Sequence, residues 1–143
     1  MGIVTRNIAE GDAAAVAGLS AQLGYVISAA DTARQITLMN ASANDDAYVA
    51  VDGDVVVAWL HVFYALRLES GSFCEVGGLV VDEQYRGRGI GKLLLARAAE
   101  WCNARECNRL VVRSNAKRKE AHAFYKGAGY EEVKEQKVFK LRV

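Results

Sequence analysis

Leu79-Val80-Val81 reads as a strand that runs through Asp82-Glu83-Gln84-Tyr85 into Arg86-Gly87-Arg88-Gly89-Ile90-Gly91-Lys92, where an amphipathic helix opens. This junction of strand, glycine-rich loop and helix constrains the chain more than any other segment. Glycines at 87, 89 and 91 let backbone N–H groups approach a ligand closely. They fall at a helix N-terminus, where unpaired amides and the helix dipole favour negative charge. Arg86, Arg88 and Lys92 add positive charge around them, so the segment predicts a diphosphate cradle. A Walker loop is excluded, because Gly87 to Lys92 lacks both its spacing and its hydroxyl. A dinucleotide fingerprint fits no better. The loop follows a meander of strands, and about 20 residues on, near Cys107 to Arg109, no acid ends a strand. On the glycines alone, an ordinary strand-to-helix turn competes evenly.

The remaining pattern predicts a mixed α/β domain. Ile3 to Ile8 reads as a strand, Ala13 to Leu23 as a helix, and Ala29 to Met39 as a second helix. Ser28 is the expected N-cap of that second helix, with Asp31 in a capping-box-like position. Ala47 to Val51 and Val55 to Tyr64 flank Asp52-Gly53-Asp54, which predicts a hairpin. Phe73 to Val81 is a strand interrupted by Gly77-Gly78, where a bulge would shift the side-chain parity. Gly91 to Ala104 is a helix, Arg109 to Arg113 a strand, and Lys119 to Lys126 a helix. Tyr130 to Val133 and Lys137 to Leu141 are read as closing strands. The expected order is β-α-α-β-β-β-α-β-α-β-β, one central mixed sheet flanked by helices in a single domain spanning 1–143.

Composition narrows the function classes. The formal net charge of +1 gives no global field for nucleic acid or an anionic membrane, and no stripe of basic and aromatic residues appears. The three cysteines, Cys74, Cys102 and Cys107, form no CxxC pair, so neither a disulfide framework nor a zinc site is expected, and a reducing cytoplasm is. The N-terminal stretch has acidic residues and no apolar run of signal-peptide length. No stretch reaches the roughly 18 apolar residues of a membrane span.

Two separated motifs carry a resemblance. Arg86-x-x-Gly89-x-Gly91, preceded by Leu79-Val80-Val81, resembles the coenzyme A-binding signature of the GNAT (Gcn5-related N-acetyltransferase) superfamily. Ser114-Asn115-Ala116-Lys117-Arg118-Lys119-Glu120-Ala121-His122-Ala123-Phe124-Tyr125-Lys126-Gly127-Ala128-Gly129-Tyr130 is similar to the later motif of that family. It has an alanine four residues before a tyrosine, and glycine and an aromatic four and five residues after it. The chain departs from the motif at Arg118, where many members carry asparagine; by the resemblance, Asn115 would take over some polar contacts to the coenzyme. The variant looks like members that acetylate small molecules, such as aminoalkylphosphonates and aminoglycosides.

The resemblance implies acetyl-CoA as co-substrate. Leu79, Val80 and Val81 would pair with the pantetheine arm, in a V-shaped gap between their strand and Arg109–Arg113. Arg86, Gly87, Arg88, Gly89, Ile90, Gly91 and Lys92 would hold the diphosphate, with Asn115, Ala121 and Phe124 as further contacts. Tyr125 is the candidate general acid for the departing thiolate; the competing reading is a core tyrosine beside Phe124. Glu75, the acid within the strand that feeds the loop, is the candidate base, directly or through water; the competing reading is an exposed strand face. His122 reads as structural rather than catalytic. Tyr25, His61 and Arg67 are candidate acceptor contacts.

The expected reaction is acetyl transfer to a small primary amine of the aminophosphonate, amino acid, aminoglycoside or polyamine class. A protein N-acetyltransferase is one alternative. An acetyl-CoA-binding sensor or interaction module without turnover is another, and the presence of Tyr125 argues against it. A homodimer is expected, by resemblance and through the late strands.

Overall fold

A computed structural model describes residues 2–143. The elements are β1 (Ile3–Asn7), α1 (Ala13–Ala21), α2 (Ala29–Ala41), β2 (Asp45–Asp52), β3 (Val55–Arg67), β4 (Gly71–Val81), α3 (Ile90–Ala104), β5 (Leu110–Val112) and α4 (Lys119–Gly127). Two compact units are formed, one ending at Val112 and the other comprising Arg113–Val143.

In the first unit the sheet runs in the order β1-β2-β3-β4-β5. The first four strands are antiparallel neighbours, and β5 joins β4 in parallel. The β2–β3 hairpin turns through Gly53, whose φ of +61° is the left-handed conformation the Asp-Gly pair predicts. The cap of α2 is also as expected, with Ser28 Oγ accepting from the Asp31 amide at 3.0 Å. Ile8, Ala13, Val16, Ile36, Ala47, Val49 and Val51 form one buried cluster between α1, α2 and β2, with Trp59 packed against it. Helix α3 packs on β3 and β4 through buried Leu94, Leu95, Ala98 and Cys102. No described helix is long and apolar enough to cross a membrane.

One buried charge fastens the start of the chain. The Asp12 carboxylate, only 7% exposed, accepts both Arg6 guanidinium nitrogens at 2.8 and 2.9 Å and the Ala9 amide at 2.8 Å. The hydrogen bonds from Arg6 hold the carboxyl below its ordinary range against the opposing effect of burial. A depressed carboxyl adds stability above its unfolded pKa, and that contribution fades as pH falls toward the folded value. Asp12→Ala should therefore cost about 1–3 kcal/mol at neutral pH and less under acid conditions. Chemical denaturation at both pH values checks this; equal midpoints for variant and wild type would show no net contribution.

In the second unit α4 ends as the glycines predict, with Gly129 at φ +95° just past the C-cap. The two expected closing strands are not formed. Residues 131–143 are exposed and carry no strand pairing. Their alternation of apolar and charged side chains, as in Lys137-Val138-Phe139-Lys140-Leu141, suits a strand. A strand also needs a ladder partner, and alternation alone does not supply one.

Candidate active site

The bulge expected at Gly77-Gly78 is present and sets the chemistry of β4. Val62 pairs with Val76 and His61 with Gly78, which leaves Gly77 as the extra residue. A Cβ on Gly77 would lie 2.5 Å from His61 Nδ1, and one on Gly78 would lie 2.6 Å from the Trp59 ring. Only glycine lets these side chains lie across the strand there. Cys74 faces α3, since its Sγ lies within 4.8 Å of that of Cys102. Alternation therefore sends Glu75 to the other face, beside its cross-strand partner Phe63. Glu75 is buried, 9% exposed, and is not free of partners. The register also pairs Val80 with Trp59 and Leu79 with Leu60, so the bulge separates Glu75 from Leu79 and Val81, with which strict alternation would group it.

His61 belongs to the Glu75 face. Its ring lies 5.5 Å from Phe63, and its Nε2 lies 2.7 Å from Asp45 Oδ1. The second Asp45 oxygen accepts from Ser42 Oγ at 2.8 Å. Sequence reasoning missed Asp45 and Ser42, because no local motif links residues this far apart. Both line a surface cleft of about 440 Å³, together with Asn7, Asn40, Asp46 and Arg105.

β5 accompanies β4 only from Cys74 to Val76. From Gly77 to Val81, β4 therefore extends past its β5 partner, and its backbone has no strand on that edge within the first unit. The resemblance implies a gap beside this stretch, and an extended amide-bearing chain fits such an edge. Arg86, Gly87, Arg88 and Gly89 follow, all exposed. Gly87 and Gly89 both have φ +80°, and a Cβ on either would meet nothing within 4 Å. Their glycines thus answer to backbone conformation and leave open space outside. Gly89 is the N-cap of α3 and has no capping side chain, so the first-turn amides are available to an anion. Ile90 and Gly91 are buried at the first turn, which seats the helix on the sheet.

Among the described residues the basic groups around this terminus hydrogen-bond only to backbone, and Arg88 also lies over the Tyr85 ring at 4.7 Å. Arg86 Nε donates to Val81 O at 3.2 Å, and an Arg88 nitrogen to Gln84 O at 3.3 Å. Lys92 is exposed. The loop itself is fixed by Tyr85 Oη donating to Asp52 at 2.8 Å, and by the Glu83 amide donating to Gln22 Oε1 at 3.0 Å. The residues present fit a diphosphate: amide donors, open space and unpaired cations at one helix end.

Tyr25 lies 61% exposed in the α1–α2 connection, which Gln22 ties to this loop. Arg67 pairs with Gly71 near the turn of the β3–β4 hairpin, and its guanidinium lies over the ring of Phe73 at 5.4 Å, two residues before Glu75 on the same strand.

In the second unit Tyr125 packs edge-on against Phe124 and Tyr130, with ring centroids 5.2 and 5.9 Å away. Burial raises its pKa above the ordinary value, opposed by the charge of Arg118. The phenol therefore keeps its proton at neutral pH. His122 Nε2 lies 2.8 Å from the Asn115 carbonyl, a structural bond that closes the loop before α4. Asn115 Oδ1 accepts from the Lys117 amide at 2.9 Å, so its side chain shapes that loop too. Ala121 and Phe124 are half-buried on α4.

Residues 20–130 match the model of the Acetyltransferase (GNAT) family. An aminoglycoside N(6')-acetyltransferase type 1 from Stenotrophomonas maltophilia is 30% identical over 141 residues, covering 95% of this chain and 91% of that protein. Among solved structures, an aminoglycoside N-acetyltransferase, AAC(6')-Iy, in complex with CoA superposes with a TM-score of 0.89 at 15% identity, over 99% of this chain and 96% of that one. A structure described as a transcriptional regulator from Bacillus halodurans superposes with a TM-score of 0.87 at 21% identity, over 98% and 100% of the two chains. At such identities the structural likenesses speak to the fold.

Proposed function

The chain belongs to the acetyltransferase (GNAT) family, and from that premise we propose that it transfers the acetyl group of acetyl-CoA to a small, positively charged primary amine. The observation that carries the coenzyme half of this reading is the uncapped, glycine-started N-terminus of α3, directly after a strand whose edge is free beyond Val76. The coenzyme supplies the activated thioester. The amides at Gly89 to Gly91, with Arg86, Arg88 and Lys92, would hold its diphosphate, and the Gly77–Val81 edge its pantetheine arm. Glu75 is read as the acceptor of the amine proton. Tyr125 is read as the hydrogen-bond donor to the departing sulfur.

The preference for a cationic acceptor rests on the face that carries Glu75. His61 there is bonded to Asp45, and Asp45 and Glu75 both pair with Phe63 in the register, so two carboxylates share this face. The aminoglycoside acetyltransferase relative supports the same choice. A panel of polyamines, aminoglycosides, aminophosphonates, amino acids and a lysine peptide, read by thiol release, tests it. Polycationic small amines should be turned over fastest. Turnover of the peptide alone would refute the small-amine reading.

Glu75→Gln should slow the reaction most at low pH, where free amine is scarcest and a positioned base matters most. An unaltered pH–rate profile would take the base role from Glu75. We also propose a homodimer built on the exposed apolar residues of the tail, among them Val133, Val138, Phe139 and Leu141. Light scattering giving a monomer mass at micromolar concentration would rule it out.

A further inference from the structure

Cys74, Cys102 and Cys107 are far apart in function from the groups discussed so far, and no acetyl-transfer role uses them. The fold gathers them from β4, the last turn of α3 and the link to β5. All three are buried, at 0, 3 and 5% exposure, and their Sγ atoms all lie within 4.8 Å of one another. Three sulfurs bonded at about 2.3 Å to one three-coordinate centre stand roughly 3.5–4 Å apart, the shorter value for a pyramidal centre. Shifts of less than about an ångström would bring these thiols to that spacing.

Charge decides which centre fits. The polar groups facing Cys102 Sγ are the carbonyls of Cys107 and Arg109, both at 3.4 Å, which accept from a thiol and repel a thiolate. Arg109 is the nearby cation, but its guanidinium is turned to the carbonyls of Ser70 and Ser72. Three thiolates around a monovalent ion would leave two buried negative charges, and around a divalent ion one. Around a trivalent centre they leave none, which a dry pocket favours strongly. Zinc also asks for a fourth ligand, and among the described residues no further His, Cys, Asp or Glu joins the group.

We propose that Cys74, Cys102 and Cys107 form a trithiol site for a trivalent, thiophilic arsenite-type species. Arsenous acid would exchange its three hydroxyls for three sulfurs. Three As–S bonds form, three As–O bonds break, each thiol proton leaves with a hydroxyl as water, and arsenic keeps its oxidation state. Entry is at Cys107, which lies between exposed Glu106 and Asn108 in the turn after α3. The product would staple β4 to α3 and to the link before β5, one residue from Glu75.

The test is titration of the folded, reduced full-length chain with inorganic arsenite, followed by native mass spectrometry, free-thiol counting and thermal unfolding. The expected result is one arsenic per chain, loss of all three reactive thiols and a higher unfolding temperature. Cys107→Ser, at the most accessible position, should lose the adduct, and Cys107→Ala should behave alike if hydroxyl substitution at that site perturbs folding. Three outcomes would overturn the proposal: no adduct with the folded wild type, an equal adduct in the Cys107 variants, or tighter binding of cadmium or zinc than of arsenite.

Discussion

Gly89→Asp should weaken acetyl-CoA binding by about 10²–10³-fold, the equivalent of roughly 3–4 kcal/mol for one like-charge contact near a protein surface. The substitution is a clean probe for two reasons. Gly89 has φ +80°, and aspartate is among the few residues that enter this region at modest cost. A side chain there meets nothing within 4 Å, so the carboxylate projects outward rather than into the core. It would stand at the N-terminus of α3, where the diphosphate is proposed to bind. Calorimetry on the variant should therefore show weak coenzyme binding, with thermal stability lowered only by the roughly 1–2 kcal/mol that a non-glycine residue costs at positive φ. Retained affinity in the folded variant would place the diphosphate elsewhere.

Tyr125→Phe should lower kcat by about 10²-fold with coenzyme affinity nearly unchanged, as expected for a donor that matters most in the transition state. Burial raises the phenol above its ordinary pKa of about 10, whereas a thiol lies near 8.5. Full proton transfer to the sulfur would thus run uphill by at least about 2 kcal/mol. Donation of a hydrogen bond to the developing thiolate needs no such transfer, and it is the role assigned here. The raised pKa also gives a sign for stability. A tyrosine held neutral by the fold contributes below its unfolded pKa and loses that contribution as pH rises toward the folded value. Single-turnover rates separate the chemical step from release, and a full rate in the variant would remove Tyr125 from the stabilisation of the departing sulfur.

The fold was legible where local chemistry dictates it. Ser28 caps α2 because its oxygen meets an N–H three residues on, and Gly53 turns the hairpin because its φ is positive. The β4 bulge was foreseeable from Gly77-Gly78, although the clash that demands it, with His61 and Trp59, comes from the neighbouring strand. The tail was misread for the converse reason. Val138 to Leu141 has strand-like alternation, but strand formation depends on a partner that local sequence does not name. Candidate site residues divide the same way. Gly87 to Lys92 mark a candidate anion site by spacing and charge, although on the glycines alone an ordinary strand-to-helix turn competes evenly with it. The bond between His61 and Asp45 joins residues on two strands, and the gathering of Cys74 with Cys102 and Cys107 joins a strand to a helix end; both depend on register.

Turnover is tested most directly by incubating the full chain with acetyl-CoA carrying a labelled acetyl group and a polycationic primary amine in large excess over protein. Mass spectrometry then follows the labelled amide. Many equivalents of N-acetylated amine per chain, one free thiol for each, and about 10²-fold slower formation of that product in Tyr125→Phe are the expected result. Coenzyme binding without labelled product across the amine panel would contradict it, and would leave a binding module where an enzyme is proposed.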